Sequence, residues 1–135
     1  DYNTRRISKM NTIRYPKLEM EKTDNLNTEF TNMHEKVDKS KYVYTRKIRS
    51  TDIDVNNHTN NLKYNYMVMD AFTVDELNAI DIKEYEIYFV NESHEGDNID
   101  VFKKKVKNYY YIEGKCEDKI IFKSVLKCSK KKESN

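Results

Sequence analysis

The stretch Asp52-Ile53-Asp54-Val55-Asn56-Asn57-His58-Thr59-Asn60-Asn61-Leu62-Lys63-Tyr64 concentrates residue types that do proton chemistry. It holds two carboxylates, one imidazole and four side-chain amides. Carboxylates and imidazoles take up and release protons, and amides hold a carbonyl or a water in place. The residues that follow read as a helix, which puts this turn at a helix N-terminus. Unpaired N–H groups there stabilise developing negative charge. The same composition also suits an Asn-rich turn that only caps the helix, and composition alone favours that plainer reading.

The elements that must position this turn are legible on either side of it. The helix spans Asn60 to Phe72, with Thr59 or Asn60 as N-cap. Its C-terminal half is apolar nearly all round, which marks a helix buried on most sides. Thr73 to Ala79 adds a short second helical turn that starts with the acids Asp75 and Glu76. Upstream, Tyr42 to Arg49 is rich in β-branched and aromatic residues, with Tyr42, Tyr44 and Ile48 on one parity, and reads as a strand. Downstream, Tyr85, Ile87 and Phe89 alternate with Glu86 and Tyr88. A further strand runs from Ile99 through Val106, and two more cover Tyr109 to Ile112 and Ile120 to Leu126. Gly96 marks the first turn of this series, and Gly114 and Asp118 separate the last two strands. Strand, buried helix, then about four strands is an α+β arrangement, one helix lying on an antiparallel sheet.

Composition bounds the rest. A chain of 135 residues is roughly one domain. Charged residues make up 36% and the mean hydropathy is −0.99, values that raise the question of disorder. Against it stand 12% aromatic residues and charges that nearly cancel, 25 basic against 23 acidic. Two Gly and one Pro exclude collagen-like and linker-like classes. No window approaches the ~18 apolar residues of a membrane span. A net charge of +2, with no known module spacing, is too small for a nucleic-acid binder.

Residues 1–40 show little periodicity and read as an extended arm or inter-domain connection, 41–128 as the folded domain, and 129–135 as a basic tail. Asp1 to Arg6 are polar and basic with no apolar stretch behind them, so no signal peptide and a cytoplasmic location are expected. The first residue is not Met, so the chain is expected to be a fragment or a processed piece. Cys116 and Cys128 have no CxxC spacing and read as two packed or half-exposed thiols. His34 and His94 stand alone and read as surface histidines. Lys103 to Lys105 and Lys130 to Lys132 read as solvated charges. Together with Arg46 and Arg49 they offer an alternative role, meeting an acidic partner protein.

The spacing Asp-x-Asn-x-His-x-Asn-Asn-x-x-Tyr, carried by Asp54, Asn56, His58, Asn60, Asn61 and Tyr64, resembles the signature of hotdog-fold thioesterases. It is closest to the acyl-acyl carrier protein thioesterases of fatty-acid synthesis. Arg5-Arg6-Ile7-Ser8-Lys9 and Pro16-Lys17-Leu18 resemble the stretch that joins two tandem hotdog domains in that family. Tyr88-Phe89-Val90-Asn91-Glu92-Ser93 resembles the family strand that ends in a functional glutamate. Plant members place a cysteine directly after that glutamate, where this chain has Ser93. A serine supplies no thiolate, which favours a carboxylate mechanism here.

The resemblance implies a hotdog fold, an antiparallel sheet wrapped around one buried helix. It implies hydrolysis of fatty acyl-carrier thioesters without metal or organic cofactor, with Asp54, Asn56, His58 and Glu92 catalytic. Asn60, Asn61 and Tyr64 are implied as substrate-binding residues, and N–H groups at the start of the helix as oxyanion donors. The implied partners are acyl carrier protein and a second hotdog domain, in cis or as a homodimer. Hydrolysis of coenzyme A thioesters, and acyl-thioester binding without hydrolysis, are the alternatives. Which carboxylate acts first stays open.

Overall fold

Alternating apolar residues, most of them in the second half of the chain, build a five-stranded antiparallel sheet, and the apolar helix lies against one of its faces. The computed structural model describes residues 39–131. The strands are β1 (Tyr42–Lys47), β2 (Ile80–Phe89), β3 (Asn98–Val106), β4 (Tyr109–Cys116) and β5 (Lys119–Lys130). The helices are α1 (Asn61–Met69) and the short α2 (Val74–Asn78). Strand order across the sheet is β1-β3-β4-β5-β2, so β1 and β2 form its edges.

The core forms where α1 meets the sheet. Tyr64, Met67 and Val68, at helical i, i+3 and i+4 spacing, are fully buried against Tyr85, Ile87, Ile99, Val101, Ile112, Phe122 and Leu126. Asn65 and Met69 are buried as well, so the helix is covered on most sides. The buried amide of Asn65 is satisfied, its Oδ1 accepting from the Tyr85 hydroxyl at 2.6 Å. A smaller cluster around Tyr111 and Val125 lies on the opposite face, as strand alternation requires. Among the described residues no helix is long and apolar enough to cross a membrane.

The expected elements are present, with different limits. Strand β2 begins five residues before Tyr85. A register shift between Ile82 and Glu84 breaks the alternation there, and that hid its first half. Gly114 does not lie in a turn. It sits inside β4 at a second register shift, where a Cβ would fall on the Phe122 ring. The turn itself is at Glu117 and Asp118, with Glu117 at a φ of 56°. Gly96 does occupy a turn, at a φ of 94° that a side chain would strain.

Strand β5 runs on through Ser129 and Lys130, which pair with Asp81 and Ile80, so the first two residues of the expected tail belong to the sheet. The arm up to residue 38, with His34 and the two stretches likened to the inter-domain connection, lies outside the described residues, as do residues 132–135. Two of the basic residues are engaged by partners rather than free in solvent. Lys103 donates to the Ala71 carbonyl at 2.7 Å and to Glu76 at 3.1 Å, and it stacks on Phe72. Arg46 is committed to Asp52. Glu76 does start α2, where it completes a capping box with Thr73.

Candidate active site

The turn between β1 and α1 is folded by its own side chains. Ile53 and Thr59 form an isolated antiparallel bridge, and Asp54 N–H donates to the His58 carbonyl at 2.9 Å. The Asp54 carboxylate closes the turn from inside, with Oδ1 accepting from the backbone of Asn56 at 2.9 Å and of His58 at 3.3 Å. Asn57 takes the left-handed conformation at the tip, φ 65°, a role to which asparagine is suited. This places Asn56 exposed at the tip and His58 half-buried on the descending arm.

The first carboxylate of the stretch, Asp52, is a foundation rather than a reagent. It is 2% exposed, and its two oxygens receive Arg46 at 2.8 and 3.0 Å and the Arg49 amide at 2.9 Å. Burial pushes its acidity the other way, but Arg46, the Arg49 N–H and the Lys63 charge together hold its carboxyl below the ordinary range.

The second segment of the site is the chain just after β2. Thr59 and Ser93 are both buried, and they join the two segments. Thr59 N–H donates to the Ser93 carbonyl at 3.0 Å, and the two hydroxyl oxygens lie 2.6 Å apart. Tyr64 reaches the same point from α1, its hydroxyl 2.7 Å from Ser93 Oγ. Because Thr59 also donates to the Ser93 carbonyl at 3.1 Å, one direction satisfies every group. Tyr64 donates to Ser93, Ser93 to Thr59, and Thr59 to the carbonyl. Burial raises the Tyr64 phenol above its ordinary acidity range, which keeps that donor protonated.

This junction sets the residues on either side of it face to face. His58 Nε2 lies 3.1 Å from Glu92 Oε2, and the ring of His94 meets that of His58 edge-on at 5.4 Å. Glu92 is the freest of the group, its side chain 64% exposed. His94 therefore does not stand alone, as the sequence suggested, because folding closes a gap of 36 residues to His58. Ser93 is held by two hydroxyls in the interior and is not presented as a nucleophile.

The expected residues divide into two groups. His58 and Glu92 meet directly, and Asp54 and Asn56 stand on the same turn. Asn60 is the helix N-cap, its Oδ1 accepting from Leu62 N–H at 2.9 Å, and Asn61 opens the helix. Tyr64 is buried between Phe89 and Phe122 and supports the site from below. Leu62 N–H and Lys63 N–H both bond to Asn60, so neither is open to an oxyanion. Sequence reasoning missed the joint role of Thr59 and Ser93. The only signal was the serine standing where plant members of the resembled family carry a cysteine.

Comparison with known proteins bears on the family and the fold. Residues 34–135 match the family model described as the acyl-ACP thioesterase C-terminal domain. The structure is similar to an acyl-ACP thioesterase from Bacteroides thetaiotaomicron, with TM-score 0.64 and 27% identity over 70% of this chain and 40% of that one. It is also similar to a 12:0-ACP thioesterase from Umbellularia californica, with TM-score 0.63 and 18% identity over 71% of this chain and 38% of that one. A Staphylococcus aureus protein solved in complex with CoA superposes with TM-score 0.57 and 18% identity, over 65% of this chain and 74% of that one. Among curated protein sequences, none matches. The chain thus spans about two fifths of the two thioesterases' length, and its fold is the hotdog fold expected from the sequence. It belongs to the acyl-ACP thioesterase family, and what it carries is the C-terminal domain of that family.

Proposed function

We propose that this domain hydrolyses fatty acyl thioesters carried by acyl carrier protein, releasing the free acid and the carrier thiol and so ending fatty-acid synthesis in the cytoplasm. The observation that carries the proposal is the Glu92–His58 pair, 3.1 Å apart, in a domain of this family. Glu92 takes a proton from water, whose oxygen bonds to the thioester carbonyl carbon. The carbon–sulfur bond then breaks, and that proton passes to the leaving sulfur. His58 fixes the direction of Glu92. Asp54 is the second carboxylate, oriented by the two amides it accepts, and Asn56 holds water or carbonyl from the tip of the turn. At the head of α1 the helical ladder supplies no acceptor for the Asn61 N–H, which makes it the oxyanion donor in this reading.

A second hotdog domain, in cis or from another copy, completes the reading. Edge strand β1 carries Tyr42 and Val43, 50% and 39% exposed, and an open sheet edge with apolar side chains favours pairing. The test is release of free thiol by the full-length protein from matched acyl-carrier and acyl-coenzyme A substrates. Faster release from the carrier substrate is expected. Preference for coenzyme A would reassign the substrate, and release from neither would end the hydrolase reading.

A further inference from the structure

We propose that His58, Glu92 and His94 form a three-ligand site for a divalent transition-metal ion of the Zn2+ class. One donor atom from each side chain lies within 4.8 Å of the other two. Two imidazoles and one carboxylate are a donor set that suits Zn2+ and leaves a coordination position open. Bonds of about 2.0–2.1 Å in a tetrahedral shell place neighbouring donors about 3.3 Å apart. The His58–Glu92 pair, at 3.1 Å, already has nearly that spacing. The third ligand must come closer, and His94 can do so by side-chain rotation, since its side chain is 57% exposed.

The backbone beneath the ligands is built before any ion arrives. The buried Thr59–Ser93 junction fixes the residues adjoining all three: Thr59 follows His58, and Ser93 stands between Glu92 and His94. Asp97 adds a carboxylate behind His94, accepting from its backbone N–H at 2.9 Å and lying 3.9 Å from Nδ1. A carboxylate orients a ligand imidazole once it accepts the second ring N–H, which here needs the His94 ring to close that gap. Metal binding requires the donor nitrogens of His58 and His94 and the Glu92 carboxylate to be free of protons.

An ion bound there takes up both His58 and Glu92 and stops thioester hydrolysis. That consequence rests on the function proposed above, whereas the binding itself does not. Co2+ and Zn2+ are therefore titrated into the full chain, using the cobalt visible spectrum and competition with a chromophoric zinc chelator. Wild type is expected to bind one ion per chain through nitrogen and oxygen donors. His94→Gln and Glu92→Gln are expected to lose that binding with unchanged melting curves. No stoichiometric binding, binding that survives both substitutions, or a thiolate-to-cobalt band from Cys116 or Cys128 would overturn the site. With an acyl thioester substrate, Zn2+ is expected to silence the wild type but not His94→Gln, each measured against its own turnover in the presence of a chelator. Equal inhibition of the two would overturn the regulatory part while the binding data stand.

Discussion

The hydroxyl oxygen of Thr59 lies 2.6 Å from that of Ser93, and both are buried where the turn before α1 meets the end of β2. With the two bonds from Thr59 to the Ser93 carbonyl, that contact sets where His58 and Glu92 stand, because each is the immediate chain neighbour of one partner. Ser93 occupies the position at which the resembled plant enzymes carry a cysteine, yet it serves as a joint.

Removing either hydroxyl should therefore loosen the site as well as the fold. Thr59→Val and Ser93→Ala each strand buried polar groups and are expected to cost about 1–2 kcal/mol. Turnover is expected to fall in both, since His58 and Glu92 lose their fixed approach. The double variant should cost less than the sum of the two, as for groups that act on each other. Denaturant melts of the four proteins check this. Additive losses would mean that the two hydroxyls work independently.

Asp52 gives a stability prediction with a sign. Its carboxyl is held below the ordinary value of 3.8, so it binds its proton less readily folded than unfolded. Its contribution is complete above about pH 4 and is lost as pH falls through the lowered value. Asp52→Asn leaves Arg46 facing a neutral amide and is expected to cost about 2 kcal/mol at pH 7. The deficit should shrink toward zero in acid, when the wild-type carboxyl is protonated as well. A deficit that is the same at pH 7 and pH 3 would count against the charge as its source.

The fold was legible wherever polar and apolar residues alternate, or apolar residues recur at helical spacing, in the sequence itself. Tyr85 to Phe89, Ile99 to Val101 and the apolar half of α1 show their periods directly. Reading failed at two of the three register shifts, near Ile82 and Gly114, because an irregular step flips the parity on which strand assignment depends. The site divides in the same way. Asp54, Asn56 and His58 sit within five residues and were visible as a cluster. The approach of His94 to His58, and the burial of Lys103 against Phe72, come from tertiary closure between distant segments, and no local pattern encodes them.

The thiols should be bystanders. Burial pushes the Cys128 thiol up to about 11, so at pH 8 only about one in a thousand is thiolate. Cys116 is raised too, by burial and then by the charges of Asp97 and Glu117. Iodoacetamide at pH 8 is expected to label Cys128 slowly and to leave turnover intact, followed by intact mass and thiol release on the same samples. Loss of activity in step with labelling would restore a cysteine to the reaction.

The two carboxylates allow chemistry to be separated from architecture. Glu92 is largely exposed and lies 3.1 Å from His58, so Glu92→Gln keeps the shape and removes the base. A fall in turnover of ~10²-fold with an unchanged melting temperature is expected. Asp54 is harder to read because it also folds the turn by accepting from Asn56 and His58 N–H. An asparagine there can still accept both bonds through its own Oδ1, whereas an alanine can accept neither. Asp54→Asn should therefore keep the fold and lose ~10²-fold in rate if the charge acts in the reaction. Asp54→Ala should lose both rate and stability. Near-normal turnover in Asp54→Asn alongside an inactive Asp54→Ala would make Asp54 a positioning residue, with Glu92 left as the only carboxylate in the chemistry. Near-normal turnover in both Asp54→Asn and Glu92→Gln would end the catalytic assignment, because neither substitution leaves a base at its position.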